Sequence, residues 1–170
     1  ALSVLTEPYH FDGSLETLRR VRDAVDVPVL RKDFVLDTDQ IHEVESDLLL
    51  LIVEFLDDDL DGMVTESLEA GFEPLVEVHT SEQLETALGT DARVIGVNNR
   101  DLKRLEVDLS VSENLLPRVP DDRLAVAESG ISSPDDARRM FDAGADAILV
   151  GSSIMQGGDV ETKTRELVEA

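Results

Sequence analysis

Seven short β-rich apolar runs recur along the chain, at residues 2–5, 27–30, 48–53, 74–78, 94–97, 124–127 and 147–150. Amphipathic stretches separate them, at 14–25, 59–70, 81–88, 110–116 and 134–143. In the last of these, Ala137, Met140 and Phe141 stand at i, i+3 and i+4, the stripe of a helix laid on a sheet. Ser81, Ser110 and the run Ser133-Pro134-Asp135-Asp136 offer capping oxygens, a first-turn proline and early acids, so helices are expected to start there. Gly71, Gly89 and Gly144 mark expected helix ends. No hairpin signal joins consecutive runs, so the strands are expected to lie parallel and to be connected by right-handed crossovers.

A repeat of about 24 residues per βα unit fits either a doubly wound sheet or a barrel. The placement of polar residues favours the barrel. Thr6-Glu7, Lys32-Asp33, Glu77, Asn98-Asn99-Arg100, Glu128-Ser129-Gly130 and Gly151-Ser152-Ser153 all fall at the C-terminal ends of runs. A barrel gathers those ends on one face, which carries the active site, whereas an open sheet strings them along an edge. The expected fold is therefore α/β, a TIM (β/α)8 barrel with about seven βα units, in a single domain over 1–170.

Length and charge narrow the function. No apolar run approaches the ~18 residues of a membrane span. There is no cysteine, so disulfides and thiolate metal sites are excluded, in keeping with a reducing cytoplasm. His10, His42 and His79 show no ligand spacing, and no metal is expected. The 38 acids against 15 Lys and Arg give a net charge of −23, which repels nucleic acid and anionic membranes. The acids are spread between apolar positions rather than gathered in a tail, as in folded proteins adapted to high salt.

Several residues carry chemistry. Ser129-Gly130 and Gly151-Ser152 each follow an apolar run. Glycine lets backbone N–H groups approach an anion, and serine adds a hydroxyl donor, so the pair of turns points to phosphate. The competing reading is two ordinary turns. Lys32 ends the string Val29-Leu30-Arg31-Lys32 in a chain with few lysines. A partly desolvated lysine there serves as a general acid or anion ligand, or is a rim lysine in a salt bridge, with Asp33 as a candidate partner. Glu77 shares a strand face with Leu75 and His79, and is either a proton-transfer carboxylate or the ion-pair partner of Lys32 or Arg100. Asn98 and Arg100 supply neutral and charged donors, or else a cap and a surface pair. Glu128 is a further carboxylate on the same expected face.

Together the strings SVLTEPYHFDGSLETL, PVLRKDF, EPLVEVH, IGVNNRDL, EVDL, VAESGIS and ILVGSSIM resemble the indole-3-glycerol-phosphate synthase family of tryptophan biosynthesis. The resemblance implies a carbon–carbon lyase that converts 1-(2-carboxyphenylamino)-1-deoxyribulose 5-phosphate to indole-3-glycerol phosphate, with loss of CO2 and water and without cofactor or metal. It implies Lys32 as general acid in ring closure and Glu77 as the carboxylate that moves protons in dehydration. Asn98, Arg100 and Glu128 are implied to position substrate and tune the lysine. Ser129, Gly130, Gly151 and Ser152 are implied to cradle the phosphate, and Phe34 and Leu102 to wall the aromatic ring. The implied partners are a small phosphorylated substrate, other tryptophan-pathway enzymes and an N-terminal segment, with no nucleic acid and no membrane. By the same resemblance the chain begins at strand two of eight. The first βα unit, with its E-x-K-x-x-S-P-S motif and a second lysine, is missing, since a whole barrel needs about 250 residues. The resemblance also expects a Gly-Ala-Asp approach to the 48–53 strand, where the chain has only Val44-Glu45-Ser46. Either the preceding helix ends early or the turn tightens. The alternatives are another phosphate barrel such as phosphoribosylanthranilate isomerase, which shares the Gly-Ser turns but not PVLRKDF, and a non-catalytic barrel fragment.

Overall fold

The computed structural model describes residues 1–56, 59–156 and 158–170. The strands are β1 (Leu2–Leu5), β2 (Val29–Lys32), β3 (Leu48–Ile52), β4 (Glu73–Val78), β5 (Val94–Asn98), β6 (Leu124–Glu128) and β7 (Ala147–Leu149). The helices are α1 (Leu15–Ala24), α2 (Thr38–Ile41), α3 (Val53–Leu56), α4 (Leu60–Glu69), α5 (Ser81–Leu88), α6 (Ser110–Leu115), α7 (Pro134–Asp142), α8 (Ser152–Gln156) and α9 (Val160–Val168). In the sheet the strands follow chain order from β1 to β7. The pairs β1–β2, β2–β3, β3–β4 and β6–β7 are parallel. All seven expected runs are strands, and the expected parallel α/β fold is the one observed. Among the described residues, no helix is long and apolar enough to cross a membrane.

The chain divides into two compact units, one of Ala1–Glu77 with Glu85–Val94, the other of Val78–Leu84 with Ile95–Ala170. In the first, α1 starts where Ser14 accepts a hydrogen bond from the Thr17 N–H at 3.1 Å. Its Leu18 is wholly buried against Val4, Val29 and Val44, with Leu15, Val21 and Val25 at the margin. Burying a leucine in this way stabilises by about 1.5–3 kcal/mol. β3 is almost entirely apolar and buried, as befits a parallel strand covered on both faces.

In the second unit, α7 opens with a capping box. The Ser133 hydroxyl accepts from the Asp136 N–H, and the Asp136 carboxylate accepts from the Ser133 N–H. Ala137 and Met140 are fully buried, but Phe141 is 39% exposed, so the core-facing stripe is narrower than the sequence suggests. Gly144 closes the helix at φ +107, a left-handed conformation suited to glycine.

Several boundaries differ from the sequence reading. The strand expected at 27–30 is Val29–Lys32, because Val29 is the residue that pairs with Leu2, Pro28 gives the ladder only its carbonyl, which accepts the Leu2 N–H at 2.9 Å, and Val27 is half-exposed. Lys32 is therefore the last strand residue and does not lie past the strand. Val53 begins α3 instead of ending β3, and β7 stops at Leu149. Ser81 does not cap α5; the Thr80 hydroxyl accepts from the Gln83 N–H, which leaves Ser81 inside the helix. Ser110 is also inside its helix, and the Asp108 carboxylate accepts its N–H at 2.9 Å. Gly89 ends α5 without a positive φ, its N–H donating to the Glu85 and Thr86 carbonyls.

The short approach to β3 is resolved by a short helix: α2 is a single turn. Register survives because the aspartate at the end of the approach is retained. Asp47 donates its N–H to the Val29 carbonyl at 3.0 Å and accepts the Val29 N–H on Oδ2 at 2.8 Å. Asp146 does the same to Ala125 before β7, at 2.8 Å in both bonds. Each aspartate grips the start of the preceding strand from both sides, so lost residues upstream of it do not move the strand.

Candidate functional site

The first unit places its polar residues after β1 and β2 and on β4. Lys32, at the end of β2, has its Nζ 3.5 Å from Oε2 of Glu77. The lysine side chain is 28% exposed and the glutamate 1%. A carboxylate so fully withdrawn from water needs a compensating charge, and the lysine supplies one while keeping a solvent-facing side. Lys32 is thus salt-bridged to Glu77 and remains partly exposed to solvent.

Asp33 serves other partners. Its Oδ2 accepts from the Thr6 hydroxyl at 2.6 Å and from Arg31 at 3.0 Å, and its Oδ1 accepts the Phe34 N–H at 2.9 Å. Phe34 is half-buried and stands between two further rings, with centroids 6.2 Å from Phe11 and 5.6 Å, edge-on, from Phe55. Sequence reasoning selected Phe34 alone. The signal for the others was scarcity: of five phenylalanines, three follow the first three strands.

The buried Glu7 carboxylate accepts the N–H groups of Tyr9 and His10 at 2.8 and 2.7 Å and shapes the turn that carries Phe11. Burial pushes this carboxyl up, but the N–H groups of His10 and Tyr9 outweigh it and hold it below the usual range. His10 lies 3.4 Å from Glu7, and His42 is 2.7 Å from Glu66. Among the described residues, no cluster of three or more His, Cys, Asp or Glu is arranged to hold a metal.

The second unit places the remaining candidates. Asn98 is buried at the end of β5, and its Oδ1 accepts the Arg100 N–H at 2.9 Å. Arg100 turns its guanidinium to the Leu105 carbonyl at 3.1 Å, within its own loop, which also holds the half-buried Leu102. Asp101 and Asp108 stabilise this loop. The N–H groups of Arg104 and Lys103 lower the Asp101 carboxyl, and the N–H and hydroxyl of Ser110 lower Asp108. Glu128 is 1% exposed at the end of β6.

Ser129 and Gly130 follow Glu128 with φ of +64 and +79, a sharp left-handed turn. Beyond β7, Gly151 and Ser152 are exposed at the start of α8, and a Cβ on Gly151 would meet nothing within 4 Å. The Ser153 hydroxyl donates to the Ile131 carbonyl at 3.0 Å, which ties the two Gly-Ser turns together.

Asn99, named in the sequence only as one of the strand-end polar residues, knits this unit. Its Nδ2 donates to the carbonyls of Glu128 and Ser129 at 3.0 and 3.1 Å, and its Oδ1 accepts the Ser112 N–H at 3.0 Å. It is 1% exposed and fixes the turn after β6 from the turn after β5.

Parallel βα units with carboxylates, a lysine and Gly-Ser turns at their strand ends define an α/β protein of the TIM-barrel class. The family model for indole-3-glycerol phosphate synthase matches residues 1–167, and the chain belongs to that family. It is 55% identical to the indole-3-glycerol phosphate synthase of Haloarcula marismortui, over 100% of this chain and 65% of that protein. It is also 55% identical to that of Halobacterium salinarum, over 100% and 67%, and 49% identical to that of Kineococcus radiotolerans, over 99% and 63%. The chain thus spans about two thirds of the length of these relatives. Among solved structures, it resembles a native KDPGal structure with a TM-score of 0.65 at 13% identity, covering 99% of this chain and 96% of that one. It also resembles a thiamine phosphate pyrophosphorylase from Pyrococcus furiosus with a TM-score of 0.63 at 19% identity, covering 99% and 93%. At such identities the likeness is one of fold alone.

Proposed function

We propose that the protein carrying this chain is a cytoplasmic indole-3-glycerol phosphate synthase. It would close the pyrrole ring of 1-(2-carboxyphenylamino)-1-deoxyribulose 5-phosphate with loss of CO2 and water. The observation that carries this reading is the Lys32–Glu77 pair, a partly exposed lysine with its Nζ 3.5 Å from a buried carboxylate, in a chain that belongs to the family.

In this reading Lys32 donates a proton to the substrate carbonyl oxygen as the new carbon–carbon bond forms. Loss of CO2 then restores the aromatic ring, and Glu77 moves the protons that accompany the departure of water. Phe34 and Leu102 face the aromatic ring of the substrate. Asn98, Arg100 and Glu128 hold its polar groups, and Arg100 leaves the Leu105 carbonyl to do so. The backbone and hydroxyls of Ser129, Gly130, Gly151 and Ser152 take the phosphate, since tight turns and helix starts offer free N–H groups to an anion.

The test is fluorescence of the indole product on incubation with that substrate, for the parent and for Glu77→Gln, which keeps shape and removes the titrating group. The reading expects product from the parent and a loss in kcat larger than the change in KM for Glu77→Gln. A protein that isomerises phosphoribosylanthranilate and forms no indole-3-glycerol phosphate would overturn it.

A further inference from the structure

Among the described residues Arg31 is the largest side chain withdrawn from solvent, 1% exposed, and the chemistry proposed above does not use it. A buried guanidinium is tolerated only where its charge is met. Here the two terminal nitrogens are met by the segment that follows β2, while Nε makes no hydrogen bond. Nη1 donates to the Gln40 carbonyl at 2.5 Å, and Nη2 donates to Glu43 Oε2 at 2.8 Å and Asp33 Oδ2 at 3.0 Å. Asp33 in turn accepts from the Thr6 hydroxyl and the Phe34 N–H. Gln40 accepts the Leu36 N–H on Oε1 at 2.7 Å and donates Nε2 to the Phe34 carbonyl at 3.3 Å. One cation therefore ties the ends of β1 and β2 to α2 and the turn beyond it.

Lys32 sits inside this clamp. Alternation along β2 sends Arg31 to one face and Lys32 to the other. The Lys32 carbonyl accepts the Thr6 N–H at 3.1 Å, and both sequence neighbours of Lys32 belong to the network. Phe34 is gripped at its N–H by Asp33 and at its carbonyl by Gln40. We infer that Arg31, acting through Asp33, is a positioning residue that fixes the backbone from which Lys32 and Phe34 reach the substrate. This inference rests on the reading of Lys32 as the acid of ring closure.

The experiment is a double-mutant cycle in the active enzyme between Arg31→Met and Lys32→Ala, with single-turnover rates normalised to sites that bind a phosphate-bearing product analogue. A group that acts through Lys32 loses its effect once Lys32 is gone, whereas a residue that only supports the fold does not. Arg31→Met is expected to lower the rate per binding site by about 10–100-fold in the parent and by less than about threefold in Lys32→Ala. Equal losses in both backgrounds, or a rate for Arg31→Met within about threefold of the parent, would overturn the inference. If Arg31→Met does not fold, Asp33→Asn, at the half-buried end of the network, takes its place in the same cycle with the same criteria. Failure of the underlying reading is distinct: Lys32→Ala would then keep the parent rate.

Discussion

Two glycines should respond in opposite directions to the same substitution, alanine, and the structure gives both signs. Gly130 has φ +79, and a Cβ there would fall well inside van der Waals contact of Val107 Cγ1 and 3.1 Å from Leu109 Cδ2. The left-handed backbone costs an alanine about 1–2 kcal/mol. The contact adds about 1–2 kcal/mol, at the low end of overpacking because Val107 is 41% exposed and can yield outward. The sum is about 2–4 kcal/mol, which at this chain length lowers Tm by about 5–10 °C. Gly62 lies within α4, its φ is not positive, and a Cβ there meets nothing within 4 Å. Alanine at that position removes unfolded-state freedom and should stabilise by about 0.5–1 kcal/mol, raising Tm by about 2 °C. The assay is thermal melting by circular dichroism, with urea denaturation to confirm the sign. A Gly130→Ala melt within about 1 °C of the parent, or a shift of both variants in one direction, would refute the account of the turn after β6.

Ser133→Ala should cost about 1 kcal/mol in urea denaturation at neutral pH, because it removes one half of the α7 capping box. For Asp136 in that box, burial raises the carboxyl, but hydrogen bonds from Ser132 and Ser133 win and hold it below its ordinary 3.8. A depressed folded-state pKa stabilises above the unfolded value and is lost as pH falls through the folded one, so the deficit of Asp136→Asn should shrink below about pH 4. Thermal melts should rise between about 0.1 M and 2 M KCl, because a net charge of −23 repels itself in dilute buffer and screening shortens to about 3 Å at 1 M salt; a flat or falling Tm would count against high-salt adaptation.

Strand and helix alternation was legible because apolar runs of strand length and the stripe of α7 are set locally. What sequence could not supply was register. The apolar run begins at Val27, yet pairing with β1 starts the strand at Val29, opposite Leu2, and this decides whether Lys32 lies inside or beyond it. Caps were misplaced at Ser81 and Ser110 because a polar residue just upstream, Thr80 or Asp108, reached the free N–H groups first. The helix α9 went unread since its 160–168 span carries few apolar residues, and of these only Leu167 is buried. Within the candidate site, Lys32 and Glu77 stood out by position, and their pairing was one of two stated options. Asn99 and Arg31 did not stand out, because their importance lies in partners brought from separate elements. The same holds for Phe11 and Phe55, whose rings meet Phe34 from the turn after β1 and from α3.

Lys32→Ala tests the central claim most directly, with turnover and affinity for a phosphate-bearing product analogue measured on the same preparation. General acid catalysis is worth about 10²–10⁴-fold, so kcat should fall by that factor. Affinity for the analogue should hold within about threefold, since the proposed phosphate ligands lie after β6 and β7. A kcat within about threefold of the parent would contradict the account.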